Sequence, residues 1–374
     1  MPAPIKTAIL GTGIALNHLH WPLLSSLPDM FDVTTVMERK MAGVAKALCG
    51  DKIKVVATLD EVINSDVELI VVATSDGSHF EIIKKIFNAG KQHVFSEKPL
   101  TYHSAQSEEL EALAKAKGKL LGVFQCRRWD GDYLTVKKLV DENRLGALTS
   151  YEVFYDFYRP ADVAVEGAAP PQGVVHWKDD PAQNAGSIYA VGTHTIDQIY
   201  CLFGVPDKIL GRTWGVRGSG VQDCFDASFM YPPRPSTDIP FFVRATTNLI
   251  SPVDPQLKFV VKATKGAYVK YYEDDQWFAL DRGEVLADTY GTEVKEHWGT
   301  ATLVQADGSF KNEVIPTERG DYRQVYREMA EAVWANDPSK NSVQVSSVIQ
   351  VTKMIEQALK SAKEDRWMIK GKDY

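Results

Sequence analysis

Cysteine is scarce: Cys49, Cys126, Cys201 and Cys224 are the only four in 374 residues, and no CxxC pair occurs. A disulfide framework is therefore not expected, and four reduced, mostly buried thiols of a cytoplasmic protein are. No apolar run approaches the roughly 20 residues that a membrane helix requires. The opening MPAPIKTAIL lacks the basic head, apolar stretch and small-residue cleavage site of a signal peptide. Charge of one sign is not clustered either. Lys and Arg number 42 against 49 Asp and Glu, and a net charge of −7 without a basic block argues against a nucleic-acid surface. With membrane and nucleic-acid partners set aside, 44% hydrophobic and 24% charged residues describe a globular chain. At 374 residues it exceeds one ordinary core and predicts two domains.

Residues 1–125 alternate short β-branched runs with helical patterns. IKTAILGTG is a strand running into glycines, FDVTTVMER a second strand, and VELIVVATS a continuous apolar run suited to a strand covered on both faces. SEELEALAKAKG reads as a helix closed by Gly118, and KLLGVFQ as a further strand. Strand–helix alternation of this kind predicts a doubly wound parallel sheet. From 126 to 374 the pattern changes. A helix, DYLTVKKLVDENRLG, ends at Gly146, and the alternating strand LTSYEVFYDFYR follows. KILGRTWGVRG, CFDASFMY, FFVRATTNLI, KFVVKATKG and AYVKYYEDDQWFAL then recur as strands between turn signals. Successive strands with few helices between them predict an α+β domain with an open, mostly antiparallel sheet. Such a sheet must cover at least one face, with helices, the first domain or another subunit. Val348, Val351, Ile355 and Leu359 mark a late helix with one apolar stripe. VAVEGAAPPQG and YPPRPSTDIP read as Pro-rich loops. Along YEVFYDFYRP, Tyr151, Val153, Tyr155 and Phe157 share one face, as sheet core or subunit interface rather than a sugar-stacking wall.

Within ILGTGIALNH, Gly11-x-Gly13 sits between an apolar strand and a helix opened by Ile14. Glycines there make the tight turn and admit a pyrophosphate to the helix N-terminus, as in Rossmann-type dinucleotide sites. Leu16 stands where a third glycine usually governs helix–strand packing, which leaves the phosphate site intact. The second strand ends at Glu38, whose carboxylate would accept the hydroxyls of an adenosine ribose and repel a 2′-phosphate. That favours NAD, while Arg39 and Lys40 keep NADP open.

VVATSDGSHFEIIKKIFNAGKQHVFSEKPLT resembles the central signature of the glucose–fructose oxidoreductase/inositol dehydrogenase/rhizopine-catabolism (Gfo/Idh/MocA) family. VFQCRRWDGDYLTVKKLV and GSIYAVGTHTIDQIYCLFGVP are similar to its scyllo-inositol dehydrogenase-like branch, and the likeness runs to the closing GDYRQVYREMAEAV. The resemblance implies a nicotinamide dinucleotide on the first domain, shielded by the open sheet of the second, and a sugar, cyclitol or keto substrate. By position, Thr74, Ser75 and His79 line the cofactor ribose and nicotinamide. Glu97 and Lys98 stand at the nicotinamide, with the Lys98–Pro99 bond often cis. Arg127 and Trp129 form cleft wall, on the cofactor and substrate sides respectively, and His194 reaches in from the second domain. Three departures stand out. Ser75 and Asp76 replace the family's proline and asparagine, Gln92 looks like an insertion, and Ala190 occupies the position of an aspartate that commonly shares the proton work.

Oxidising a secondary alcohol by hydride transfer requires a side chain to take the hydroxyl proton. Lys98, at the carboxyl end of a parallel strand where open α/β sheets place their ligands, is that candidate. His194 opens the helix THTIDQIYCLFG, whose buried stripe is Ile196, Ile199 and Phe203. Asp197, three residues on, shares its helix face and would orient the imidazole. With Ala190 in the aspartate position, His194 and Lys98 share the proton transfer, or Tyr189 contributes a hydroxyl. His18-x-His20 invites a metal, but on a helix the two side chains diverge by about 200°, so none is expected and both should face the cofactor cleft or solvent. RRWDGD balances two arginines with Asp130 and Asp132 and reads as cleft or ion-pair segment. Together these features describe an NAD(P)-dependent oxidoreductase acting on a polyol, sugar or carbonyl compound, as a homodimer or homotetramer. The alternatives are a non-catalytic dinucleotide-binding regulator, favoured by Ala190, and a reductase of non-sugar ketones or imines.

Overall fold

The computed structural model describes residues 2–159, 180, 185–234 and 237–374. VAVEGAAPPQG and two residues of YPPRPSTDIP lie outside the described residues. The chain divides into two compact units. The first comprises Met1–Trp129, Asp275–Gly291 and Asp321–Ile349; the second comprises Asp130–Asp274, Thr292–Gly320 and Gln350–Tyr374. The chain thus returns to the first unit twice, where its sequence pointed to a single break after residue 125.

In the first unit β1 (Ile5–Leu10), β2 (Phe31–Met37), β3 (Lys54–Val56), β4 (Leu69–Val72), β5 (His93–Ser96) and β6 (Leu121–Val123) form one sheet in the order β3-β2-β1-β4-β5-β6. Every neighbouring pair is parallel. Leu69 through Val72 are fully buried, as expected of a central strand with both faces covered. The crossover helix His79–Ala89 buries Ile83, Ile86 and Phe87 and stops at Gly90, whose left-handed φ of 73° an L side chain rarely adopts. The returning helix Arg323–Ala335 buries Val325, Tyr326, Met329, Ala330 and Ala332. Gly122 of β6 permits that packing, since a Cβ there would stand 2.6 Å from the Phe95 ring and 2.8 Å from the Met329 sulfur. The winding reverses between β1 and β4, which opens a crevice outside the strands' carboxyl ends. One register row joins Met37, Leu10, Val72, Ser96 and Val123. The glycine turn after β1, the Thr74 loop after β4 and the Glu97–Lys98 turn after β5 therefore leave the sheet at one edge.

The second unit holds β7 (Leu148–Phe154), β8 (Lys208–Trp214), β9 (Cys224–Tyr231), β10 (Phe241–Asn248), β11 (Leu257–Ala263), β12 (Gly266–Tyr271), β13 (Gly299–Val304), β14 (Phe310–Ile315) and β15 (Met368–Ile369). Their order is β14-β13-β12-β11-β7-β10-β9-β8-β15, with β7 and β10 parallel and the other pairs antiparallel. Burial alternates strictly along β10, the mark of a sheet with one packed face. Tyr151 and Val153 lie on that face, and Tyr151 packs against Phe203 and Phe259, so this part of the aromatic strand is core. At Gly211 a Cβ would stand 2.1 Å from the Ala358 carbonyl oxygen, so only glycine admits the C-terminal helix at this distance. The other face carries Ser150, Glu152, Arg212, Asp226, Phe242, Arg244 and Lys262 around a shallow hollow.

Some boundaries differ from expectation. AYVKYYEDDQWFAL is a strand only to Tyr271; Tyr272 is left-handed (φ 60°), and Gln276–Asp281 is helical in the first unit. β7 ends at Phe154, short of Arg159, and the helix from Gly131 stops at Asp141 rather than at Gly146.

Candidate functional site

The turn after β1 is built around two glycines with different constraints. Gly11 has φ +106°, and a Cβ there would stand 2.5 Å from the Ala73 carbonyl oxygen. Gly13 faces open space, with nothing within 4 Å of a Cβ. Residues 14–25 are helical from the next position on, interrupted by a π-helical turn over Leu16–His20. Bare backbone, open room and a helix N-terminus with unpaired N–H groups are what a dinucleotide diphosphate requires, so this turn fits the cofactor. Leu16 is fully buried in the position of the absent third glycine.

Glu38 differs from expectation. It is 3% exposed, and its two carboxylate oxygens accept the backbone N–H groups of Val44 (3.0 Å) and Ala45 (3.3 Å) at the start of the helix Val44–Cys49. A carboxylate so placed compensates the orphan donors of a helix N-terminus and is turned away from solvent. Arg39 and Lys40 beside it are exposed.

Across the same sheet edge, Thr74 Oγ1 lies 2.8 Å from Ser78 Oγ, and Ser75 precedes the short turn Asp76–Ser78. His79 is fully buried rather than lining an open surface: its Nδ1 is 2.8 Å from the Pro99 carbonyl and its Nε2 3.2 Å from that of Thr74. It ties the loop after β4 to the turn after β5. Gln92, the apparent insertion, is buried and donates to the Ile63 carbonyl (3.0 Å). Glu97 is buried, Lys98 is half-buried, and the Lys98–Pro99 bond is cis. The Lys98 N–H donates to Glu97 Oε2 at 3.0 Å. Arg127 is buried within the turn Cys126–Trp129, 3.5 Å from the Tyr322 hydroxyl. Gln276 accepts from the Tyr322 N–H and donates to the Trp129 carbonyl. Arg128 reaches the Ser342 carbonyl and the Ser347 hydroxyl. RRWDGD is thus bound inward, with Asp130 and Asp132 fully buried.

The two histidines of NHLHW separate, but not as expected. His18 lies 2.6 Å from Asp281 and stacks on Trp277. His20 faces neither solvent nor an open cleft: it is fully buried, 2.6 Å from the Tyr326 hydroxyl and 3.1 Å from Glu97 Oε1. No group of three or more His, Cys, Asp or Glu able to hold a metal occurs among the described residues. Tyr326, Tyr322 and Gln276 have no signal in a motif reading, because each meets its partner across more than 40 residues of chain.

In the second unit Tyr189 and Ala190 end the helical turn Ser187–Ala190, and His194 and Asp197 lie one turn apart in the helix Gly192–Phe203. Tyr189 and Asp197 are buried, and His194 is 9% exposed. Burial, with Glu356 nearby, pushes the Tyr189 phenol far above its ordinary pKa, so it keeps its proton.

A model of the oxidoreductase family with an NAD-binding Rossmann fold matches residues 5–125, and that of the GFO/IDH/MocA C-terminal domain matches residues 133–269. An uncharacterised oxidoreductase of Schizosaccharomyces pombe is 34% identical over 96% of this chain and 97% of its own. The scyllo-inositol 2-dehydrogenase (NADP(+)) IolW of Bacillus subtilis is 31% identical over 97% of this chain and 95% of its own. Among solved structures, yvaA of Bacillus subtilis superposes with a TM-score of 0.83 at 30% identity, covering 98% of this chain and 99% of that one. An oxidoreductase from Bacillus cereus gives a TM-score of 0.80 at 26% identity, covering 95% and 97%. The chain belongs to the GFO/IDH/MocA family of NAD-binding oxidoreductases.

Proposed function

We propose that this GFO/IDH/MocA oxidoreductase uses NADP(H) and acts on a CH–OH or C=O carbon of a sugar, cyclitol or related carbonyl compound. The observation that carries this reading is the shared edge of the parallel sheet, where the Gly11–Gly13 turn leaves β1 and the Glu97–Lys98–Pro99 turn leaves β5, the two strands that flank β4. Gly11, Gly13 and the N–H groups from Ile14 onward hold the diphosphate, with Thr74, Ser75 and Arg127 toward the nicotinamide side. When bound, the cofactor supplies or accepts the hydride. Lys98 Nζ takes the hydroxyl proton as an alcohol is oxidised and returns it as a carbonyl is reduced. His194, oriented by Asp197, is the second unit's hydrogen-bonding group for the substrate oxygen, with Tyr189 and Trp129 as further substrate contacts. Ala190 leaves that work without a second carboxylate. A second copy of the chain covers the open face of the second unit's sheet, whose mixture of Phe242, Leu210 and charges of both signs suits a twofold pairing.

NADP(H) is proposed over NAD(H) because Glu38, the group that would select a free ribose diol, is committed to the Val44 and Ala45 N–H groups. Arg39 and Lys40, which follow that strand end, are exposed, and a guanidinium pairs well with a phosphate. That the Bacillus subtilis relative is a scyllo-inositol 2-dehydrogenase (NADP(+)) supports the same choice.

The test is turnover on scyllo-inositol, myo-inositol, aldoses and small ketones with both nucleotides, beside binding of NADPH and NADH read by fluorescence. Activity on a polyol with NADP, and loss of about tenfold in NADPH affinity (~1.4 kcal/mol) in Arg39→Ala with NADH unchanged, are expected. Tight NADPH binding with no turnover on any compound would replace the enzyme by a non-catalytic dinucleotide sensor. Equal losses for both nucleotides in Arg39→Ala would remove the NADP assignment.

A further inference from the structure

His20 has no place in the chemistry above, yet it is fully buried within the glycine-turn helix, at the end of a π-helical turn. Such single-turn bulges re-aim a side chain and cluster at functional positions. Here the bulge aims the imidazole across the first unit. Its Nδ1 lies 2.6 Å from the Tyr326 hydroxyl, and its Nε2 lies 3.1 Å from Glu97 Oε1. Among the described residues neither Nε2 nor Oε1 makes a hydrogen bond to a third group, so the 3.1 Å contact is what each of these buried atoms has for polar company. Either one buried alone would carry its desolvation cost uncompensated. The other Glu97 oxygen accepts the Lys98 N–H at 3.0 Å.

The direction of the chain follows from its ends. Burial, reinforced by the nearby Glu97 charge, pushes the Tyr326 phenol well above its ordinary pKa, so it keeps a hydrogen to donate, and a Glu97 carboxylate that can only accept from Nε2 leaves Nδ1 to receive it. With the phenol donating into Nδ1, the ring presents its Nε2 N–H to Glu97. Burial opposes ionisation of Glu97, but the His20 contact, the positive charge of Lys98 and the Lys98 N–H together outweigh it and hold the carboxyl below its ordinary value. Phe31, Phe95 and Phe124 pack around the Tyr326 ring and leave the anchor no alternative position.

We propose that His20 is a positioning residue: with Tyr326 as anchor, it orients Glu97 and through it holds the Glu97–Lys98–Pro99 turn so that the Lys98 amine meets substrate. This role presupposes the oxidoreductase function proposed above.

A double-mutant cycle with Lys98→Met tests it, using NADP with scyllo-inositol, or the best compound of the panel. His20→Leu is expected to lower kcat by roughly 10- to 100-fold, the order of loss for a misplaced catalytic group, with the dissociation constant of NADPH within about threefold. Tyr326→Phe, which preserves volume and frees the tautomer, should lower kcat in the same sense by a smaller factor. His20→Gln, which restores a donor toward Glu97, should recover most of the loss. In a Lys98→Met background, His20→Leu should cost less than about threefold, because groups acting as one unit are not additive. Full additivity, or an unchanged kcat in a His20→Leu protein that binds NADPH, would overturn the proposal. If wild type turns over nothing, or Lys98→Met is as active as wild type, the enzymatic reading fails by itself. Amide exchange at Lys98 then decides: faster exchange in His20→Leu upholds the holding role, and unchanged exchange ends it.

Discussion

Two buried acid–base pairs, one in each unit, differ in where their contacts end. In the second unit the Lys270 side chain is fully buried. Its ammonium meets the carbonyls of Tyr271 (2.6 Å) and Tyr272 (3.3 Å) and Glu293 Oε1 (2.8 Å), while the Thr317 hydroxyl donates to Glu293 Oε2. Three donors meet three acceptors, and the network closes on itself. In the first unit the Tyr326–His20–Glu97 chain is equally dry, but it runs out to a half-buried lysine at the ligand edge of a parallel sheet. A closed network specifies packing; one that reaches the ligand edge of a sheet also fixes the turn at that edge. Burial and charge alone do not separate the two cases.

Substitution sharpens the contrast. The largest effect is expected at Lys98→Met, where kcat falls by about 10²- to 10⁴-fold, the usual share of a general acid–base group, with little change in melting temperature. A variant that keeps wild-type turnover would put Lys98 on the same footing as Lys270. Next comes Lys270→Met, which strands the Glu293 carboxylate. Denaturant unfolding should register a loss of about 3–5 kcal/mol, while turnover per folded molecule is retained, and adding Glu293→Leu should recover much of the stability. If the double variant is as unstable as the single one, the pair is not a self-contained unit.

The smallest effect is a difference in sign. The Glu97 carboxyl is held below its ordinary value, so its stabilisation is complete above the unfolded carboxyl pKa of about 4.3 and is lost as pH falls through the lower folded value. Burial raises Glu293 despite its bonds to Lys270 and Thr317. Its contribution is therefore fullest below about 4.3 and is lost as pH rises through the raised folded value. Between pH 7 and 3, the stability of wild type relative to Glu97→Gln should fall on acidification, and relative to Glu293→Gln it should rise. Parallel trends would contradict the assignment of the two carboxyls to opposite environments.

Much of the fold is legible in the chain. VELIVVATS announces a strand buried on both faces, ILGTG a strand entering a glycine turn, and Val348, Val351 and Ile355 a helix stripe, because periodicity is a local property that the sheet and helix geometries impose. The positions of Gly11, Gly13 and Lys98 at one sheet edge follow from the same reasoning. Other features escape it. QWFAL looks like the end of a strand, yet Gln276–Asp281 is a helix of the first unit that caps Tyr322 and Trp129. Glu38 stands where a ribose ligand is expected, yet its oxygens serve Val44 and Ala45, a preference set by how the loop between them closes.

From residue order alone come the doubly wound sheet, the open antiparallel sheet and the glycine turn, since neighbours along the chain decide strand, helix and turn through sterics and apolar spacing. What the buried polar groups do is another matter. His20 and Tyr326 are 306 residues apart, and Glu97 approaches His20 across 77 positions. A dry imidazole takes whichever partner the folded core brings within about 3 Å, so its tautomer, and the aim of the lysine beyond it, were decided only when distant segments packed together.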